Sequence, residues 1–173
     1  MNHQSDLDDL FTATYEELRR LASTVKGRDP STTLNPTALV NEAWLKLSGS
    51  PGLAATSHLH FKRIAARAMR QVLIEAARRR HSEKRGGGAG TVCVTLDGLP
   101  EKTMPVGDEL IVLDRVLEDL ARMNPRQAIM VESRFFGGLE IPEIAELLDV
   151  SVATVVRDWR AARAWLAHEL RGT

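Results

Sequence analysis

A glycine-rich break near the middle of the 173-residue chain most limits the folds open to this sequence. Four of the chain's twelve glycines lie within 86–90, and no sustained helical period follows until about 107. Both flanking halves do show helical periodicity, with apolar residues recurring three and four positions apart. We therefore expect an all-α protein with two small helical domains, 1–85 and 109–173, joined by a flexible linker over 86–108.

The first half is predicted to contain three helices. One extends from about 6 to 26, and a second follows Asn35 and Pro36, which suit an N-cap and a first helical position. A third follows Ser57 and continues without glycine or proline to Arg85. At about 1.5 Å per residue this helix would be roughly 42 Å long. Its apolar residues share one side, and its basic residues occupy the other side and the C-terminal end.

The second half is predicted to contain four helices. Asn124 and Pro125 mark the start of the second of these, again as N-cap and first helical position. The last two, at about 140–148 and 152–170, are separated by only three residues, and small Ala145 would allow them to cross closely. This spacing predicts a helix-turn-helix that binds DNA. The alternative is a plain helical hairpin whose arginines are solvated.

Charge is strongly segregated although the chain as a whole is neutral, with 23 basic and 23 acidic residues. Residues 58–90 carry a net charge of +7, and 91–121 carry −5. The basic excess exceeds what a helix C-terminus needs to balance its dipole, so it favours contact with a polyanion. The alternative is a solvated helix end. In the isolated chain the two segments could attract each other and mask DNA binding.

Composition and motifs exclude several classes of protein. The sequence contains neither a run of eighteen apolar residues nor a signal peptide, so no membrane association is expected. Cys93 is the single cysteine, which rules out an internal disulfide and suits a reducing, cytoplasmic setting. No metal-ligand cluster, Cys/His pair or phosphate-binding loop indicates catalysis. We therefore expect neither an enzyme nor a bound cofactor or metal.

Two functions can be weighed against these features. A helix-turn-helix repressor or response-regulator-type protein would bind operators by itself and would need an effector pocket or an apolar dimer seam in 1–85. A nucleic-acid enzyme is the second alternative, and it lacks any recognisable catalytic set. The basic helix within 58–85 argues against a dimer seam.

Four motifs in order resemble one bacterial family. They are Leu39–Leu47, the basic helix ending in Arg78–Arg80, Asn124–Gln127, and Glu143–Leu148 continuing to Val155. Around a central linker they resemble the extracytoplasmic-function (ECF) subfamily of bacterial sigma-70-type factors. The resemblance implies a factor that directs core RNA polymerase to promoters, with the first domain reading the −10 element and the second the −35 element. The linker would then lie inside the polymerase along the RNA path.

The resemblance assigns DNA contacts to two sets of residues. On the −10 side these are histidines after the 50–57 loop and arginines of the long helix: His58, His60, Arg63, Arg67, Arg70, Arg78, Arg79 and Arg80. On the −35 side they lie at the start of the last helix: Ser151, Ala153, Thr154, Val156, Arg157, Arg160 and Arg163. For His58 and His60, the alternative is that they are ordinary loop histidines.

The polymerase-binding helix departs from the family pattern. Many relatives carry acidic residues before this motif, whereas here Thr37, Asn41 and Glu42 are the candidate polymerase contacts and Glu42 is the only acid among them. Phosphorylation of Thr37, or less favourably of Thr32 or Thr33, would supply negative charge at the helix start. This predicts a Ser/Thr kinase as partner, beside the anti-sigma factor usual in the family. Alternatively, Thr37 only helps to cap the helix.

Overall fold

The computed structural model describes residues 3–26, 35–48, 57–84 and 108–171, and these residues are helical apart from short connections. Seven helices are present in this part of the chain: α1 His3–Lys26, α2 Pro36–Ser48, α3 His58–Lys84, α4 Asp108–Met123, α5 Pro125–Gly137, α6 Ile141–Leu148 and α7 Val152–Arg171. The predicted all-α fold is confirmed. The proposed linker lies outside the described residues except for Asp108, which begins α4.

The predicted helix starts agree closely with the structure because polar side chains cap them. The Asn35 Oδ1 atom accepts a hydrogen bond from the Ala38 N–H at 2.7 Å, and the Asn124 Oδ1 atom accepts one from the Gln127 N–H at 3.2 Å. Ser57 caps α3 in the same way through the His60 N–H, at 3.3 Å. α1 is the exception, since it begins at His3 rather than at about residue 6.

α1, α2 and α3 pack against one another through apolar and aromatic side chains. The rings of Phe11 in α1 and Trp44 in α2 stack with centroids 4.3 Å apart. α2 then lies on α3, where the Lys46 ammonium donates to the Glu75 carboxylate at 2.9 Å. Phe61 and Met69 of α3 are fully buried. α3 is therefore the helix on which the other two helices of the first predicted domain pack.

α5 is the central helix of the structure, with contacts to α3, α4, α6 and α7. Its periodicity predicts a single apolar side, but the helix is buried on nearly all sides from Ala128 to Gly137. The buried residues include the charged Glu132 and Arg134 as well as Val131 and Phe136. A helix surrounded by neighbours buries polar positions too, and these must find partners.

The two predicted domains share a core in this structure. α3 packs against α2 on one side and against α4 and α5 on the other. Buried hydrophobic side chains from both halves form one continuous cluster. The small residues Ala66 and Gly137 allow α3 and the end of α5 to approach closely. A Cβ atom placed on Gly137 would lie 3.1 Å from the Cβ of Ala66.

α5 ends at a glycine turn that fixes the direction of the chain into α6. Gly138 has φ +63°, in the left-handed region, and the Leu139 N–H donates to the Ser133 carbonyl at 3.1 Å. Replacing Gly138 by alanine is expected to lower the free energy of unfolding by about 1 kcal/mol, because a Cβ atom strains this conformation. Chemical denaturation would measure the loss. Asparagine at the same position is the control, since it tolerates the left-handed region better, and an equal loss for both variants would contradict this explanation.

Candidate nucleic-acid interface

Most of the basic side chains proposed for the −10 side are accessible on α3. Arg67, Arg78 and Arg79 are exposed, while Arg63 and Arg80 are half-buried. His58 is the first residue of α3 and is exposed, and His60, two residues later, is half-buried. Together the arginines form a basic stripe along α3. It presents several cations on one helix, as contact with a DNA backbone requires.

Arg70 differs from the other arginines because its guanidinium is enclosed by acidic groups of the second half. It donates to Asp114 Oδ1 through Nε at 3.0 Å and through Nη2 at 2.6 Å, and to Glu132 Oε1 through Nη1 at 2.9 Å. The three side chains are only 7–15% exposed. Arg70 is therefore enclosed, although it lies on the same helix as the exposed Arg67, Arg78 and Arg79. In this conformation carboxylates and a backbone carbonyl hold the Arg70 guanidinium.

Asp114 also binds the next basic group along α3. Its Oδ2 atom accepts a hydrogen bond from Arg78 Nη2 at 3.1 Å, and its backbone carbonyl accepts one from Arg70 Nη2 at 3.1 Å. The Arg78 side chain remains 61% exposed, so its pairing is much weaker than that of Arg70. One buried carboxylate thus pairs with two of the proposed DNA-binding residues.

Lys62 is a second basic residue of α3 that is buried rather than presented to solvent. Its ammonium lies 3.0 Å from Glu17 Oε2 in α1 and 2.9 Å from Glu143 Oε1 in α6. Burial by itself opposes the charge on Lys62, but the hydrogen bonds that its ammonium donates to Glu143 and Glu17 outweigh burial and raise its pKa. The ion pair therefore ties α3 to both halves of the chain.

The Glu143 carboxylate is stabilised in its charged form by two donors. Burial opposes the charge, but the Glu140 N–H, which donates to Oε2 at 2.7 Å, and the Lys62 ammonium outweigh it and lower the pKa of Glu143. A lowered carboxyl pKa contributes stability above the unfolded-state value of about 4.5. That contribution is lost as the pH falls through the folded-state pKa.

The Lys62 and Glu143 pair predicts a defined pH dependence of stability. A raised lysine pKa contributes stability below the unfolded-state value of about 10.5, and this is lost as the pH rises through the folded-state pKa. Replacing Glu143 by glutamine should cost about 1 kcal/mol near neutral pH, with a smaller difference from wild type below pH 4. Urea denaturation across this pH range would measure it. A cost that stays constant down to pH 2 would contradict the assignment.

A cleft of about 340 Å³ opens between α3 and the α4–α5 corner, formed by the end of α4 and the start of α5. The ion-paired residues Arg70, Asp114 and Glu132 are among those that line it. Arg63, Arg67 and Gln71 line its α3 wall, and Glu118 and Ile129 line the opposite wall. Basic side chains of the proposed −10 surface thus face acidic side chains of the second half across this cleft. The electrostatic attraction expected from the charge segregation has a structural counterpart here.

α6 and α7 are joined by residues 149–151 in a tight turn. Asp149 has φ +51°, in the left-handed region, and the Val150 N–H donates to the Ala145 carbonyl at 3.0 Å. This conformation favours glycine, although aspartate tolerates it better than most residues. Ser151 Oγ then caps α7 by accepting from the Thr154 N–H at 3.1 Å. Ile144 and Val155 are buried where the two helices pack.

The residues proposed for the −35 side are Ser151, which caps α7, and six residues in the N-terminal part of α7, and they are largely accessible. Ser151, Ala153, Arg157 and Arg160 are exposed, and Thr154, Val156 and Arg163 are half-buried. Val152 is 49% exposed, which is unusual for a large apolar residue. The helix end combines uncapped N–H groups, small side chains and arginines. Such a combination can approach a groove and bind both phosphates and base edges.

The proposed polymerase-binding residues lie together on the outer face of α2. Thr37, Asn41 and Glu42 are all exposed. Leu45 extends this face by one turn and is 65% exposed, the highest value among the large apolar residues of the described chain. We name Thr37, Asn41, Glu42 and Leu45 the α2 face. Thr32 and Thr33, the other proposed phosphorylation sites, lie outside the described residues.

Sequence reasoning missed Leu45, Asp114, Glu132 and Lys62 as residues of interest. For Leu45 a signal was present, because it falls off the apolar stripe formed by Val40, Ala43 and Leu47 on α2. For the charged residues, no sequence signal identifies which acid meets which base across elements far apart in the chain. In the residues that the structure describes, no group of three or more His, Cys, Asp or Glu side chains could hold a metal ion, and no helix has the length and apolar character to cross a membrane.

These features define an all-helical protein with basic surfaces on α3 and α7. The sequence matches the family described as ECF sigma factor over residues 3–172. The chain therefore belongs to the ECF sigma factor family, and it is a sigma factor that acts in transcription initiation with RNA polymerase core and promoter DNA as partners. Comparisons with curated proteins and with solved structures returned no match.

Proposed function

We propose that this sigma factor reads the −10 element with α3 and the −35 element with the start of α7, and that it binds core polymerase through the α2 face. The presence of exposed arginines on two separate helices carries this assignment. Domains 1–85 and 109–173 would each supply one reading surface. Run-off transcription with core polymerase on genomic fragments tests the proposal, and an absence of new start sites would contradict it.

The exposed arginines of α7 offer the sharpest test of −35 recognition. Replacing Arg157 or Arg160 by alanine should weaken promoter binding by the holoenzyme about 10-fold, because each side chain can donate to a guanine edge or a phosphate. The control is Arg122→Ala, since Arg122 is exposed on α4 and pairs with Asp119 of its own helix. Electrophoretic mobility shifts of promoter fragments would measure the change. Equal losses for Arg122 and Arg157 variants would contradict a specific contact.

We further propose that phosphorylation of Thr37 by a Ser/Thr kinase strengthens polymerase binding. Asn35 already supplies the side-chain cap of α2, so the helix does not need the Thr37 hydroxyl for that purpose. The first turn of α2 contains no acidic residue, and the Thr37 side chain is exposed. A phosphate there would meet the positive end of the helix dipole and would place about −1.5 to −2 charges on the α2 face.

Three variants measure the contribution of charge at Thr37. Thr37→Asp should bind core polymerase about 10-fold more tightly than Thr37→Ala, because it adds negative charge to a face that carries only Glu42. Thr12→Asp is the matched control, since Thr12 is an exposed threonine on α1. Binding would be followed by fluorescence anisotropy of labelled protein. Tight binding by unphosphorylated wild type, unchanged in either Thr37 variant, would contradict the switch. An anti-sigma factor remains a further proposed partner.

A further inference from the structure

In the contact between α3 and the α4–α5 corner, carboxylates bind arginines in the way that DNA phosphates would. A carboxylate and a phosphate both accept paired hydrogen bonds from the guanidinium fork of arginine. Asp114 and Glu132 take up the Nε, Nη1 and Nη2 donors of Arg70, and Asp114 also pairs with Arg78. The Arg70 donors that a backbone phosphate would use are therefore occupied by protein, whereas Arg78 pairs through Nη2 and stays largely exposed.

We propose that this contact is an autoinhibitory latch, in which Asp114 and Glu132 mimic DNA phosphates and hold the free protein in a closed state. In this state Arg70 is withheld from DNA, while Arg78, which is 61% exposed, is only partly engaged by Asp114. Separation of the two halves during assembly with polymerase would release both arginines. The inference rests on the proposed DNA-reading role of α3.

Two further contacts hold α3 against the second half in the closed state. Lys62 of α3 is almost fully buried between Glu17 and Glu143, the second of which belongs to α6. Close to it, the small residues Ala66 and Gly137 bring α3 and α5 together. The latch thus joins α3 to three helices of the second half, α4, α5 and α6.

The occlusion affects only part of the α3 surface, where Arg67 and Arg79 stay exposed, and leaves the second DNA-reading surface open. The start of α7 keeps Ser151, Arg157 and Arg160 exposed in the same structure. Buried ion pairs contribute little net stability compared with apolar packing, but they demand a matching partner. Promoter DNA can replace the carboxylates as partner of the arginines, and basic groups of polymerase can replace the arginines as partners of the carboxylates. A latch built of ion pairs is therefore suited to release.

The first experiment removes the acidic charges from the full-length protein. Asp114→Asn with Glu132→Gln should bind a fluorescein-labelled single-stranded oligonucleotide about 10-fold more tightly than wild type in the absence of polymerase, with a steeper salt dependence. The control is Glu16→Gln with Asp119→Asn, which makes the same change in net charge. Both control residues pair with an arginine of their own helix. No difference between the double variant and the control would overturn the latch.

A further substitution locates the source of any gain. Adding Arg70→Ala and Arg78→Ala to the Asp114→Asn and Glu132→Gln variant should abolish the increase in affinity. Persistence of the gain would show that other groups bind the oligonucleotide and would overturn the assignment. Run-off transcription by holoenzyme with Arg67→Ala and Arg79→Ala tests the DNA-reading role of α3 separately. A loss of transcription there, with no gain in the first experiment, would refute the latch alone.

The second experiment holds the halves together. In a Cys93→Ser background, cysteines at Ala66 and Gly137 would place their Cβ atoms about 3.1 Å apart, so a shift of a few tenths of an ångström would bring them to the roughly 3.5–4.5 Å of a disulfide. Oxidation of the free protein should form the cross-link and suppress oligonucleotide binding even with Asp114→Asn and Glu132→Gln present. Reduction should restore binding. Failure to cross-link, or undiminished binding by the cross-linked protein, would overturn the closed state.

Discussion

Replacing Arg70 by methionine is expected to lower the free energy of unfolding of the closed form by about 3–5 kcal/mol. The substitution keeps most of the side-chain volume but removes the cation that Asp114 and Glu132 share. Their side chains are only 7% and 12% exposed, so they cannot recover the lost interaction from water without moving. Asp114 retains Arg78, whereas Glu132 loses its ion-pair partner. Urea denaturation followed by circular dichroism would measure the change.

A neutral version of the same cluster is the control for Arg70→Met. Combining Arg70→Met with Asp114→Asn and Glu132→Gln removes the charges on both sides, and most of the stability should return. If the single substitution costs less than about 1 kcal/mol, two explanations can be separated with the Ala66 and Gly137 cysteine pair. Lost cross-linking would show that the halves separate and hydrate the carboxylates. Undiminished cross-linking would contradict the expected cost of burying them unpaired.

The helices could be predicted because the signals that define them are local. Asn35, Ser57, Asn124 and Ser151 each cap the helix that they precede, and each has an oxygen that can reach a free N–H two or three residues ahead. The turn after α5 also has a local signal, the adjacent glycines 137 and 138. Helical periodicity located the apolar side of α4, whose Leu113 and the leucines around it are buried.

Packing between elements could be predicted only in outline. The excess of positive charge in 58–90 and of negative charge in 91–121 predicts an attraction, and the pairing of Arg70 and Arg78 with Asp114 agrees with it. Glu132 and Glu143 come from a segment with no net charge, so composition does not point to them. Their roles depend on the position of α5 and α6 beside α3. That position is set by the three-dimensional fold rather than by any short motif.

α5 is buried on more sides than its periodicity predicts, also because of the helices around it. A period of 3.6 residues identifies one apolar side, and the charges at Glu132 and Arg134 suggest that the other side faces water. In the structure Glu132 pairs with Arg70, and the Arg134 guanidinium lies 5.1 Å from the centre of the Trp159 ring. Charged residues can therefore occupy an enclosed position when neighbouring helices supply partners.

The α3 surface leads to the second large effect, on DNA binding by the assembled holoenzyme. Replacing Arg63, Arg67 and Arg79 by alanine should weaken promoter binding about 100-fold near physiological salt, because three phosphate contacts and their counterion release are lost. The plot of log affinity against log salt concentration should become shallower by about 2–3. None of the three residues belongs to the latch, so the loss should appear in the open, polymerase-bound form.

Lysine substitutions at the same three positions separate charge from geometry. They keep each positive charge but replace the planar guanidinium fork by a single ammonium. If α3 follows the DNA backbone electrostatically, the lysine variant should keep the wild-type salt dependence and lose less than about 10-fold in affinity. If the arginines read bases instead, the lysine variant should lose nearly as much affinity as the alanine variant while its salt dependence stays steep. An alanine variant that binds like wild type at every salt concentration would contradict the assignment of these arginines to promoter DNA.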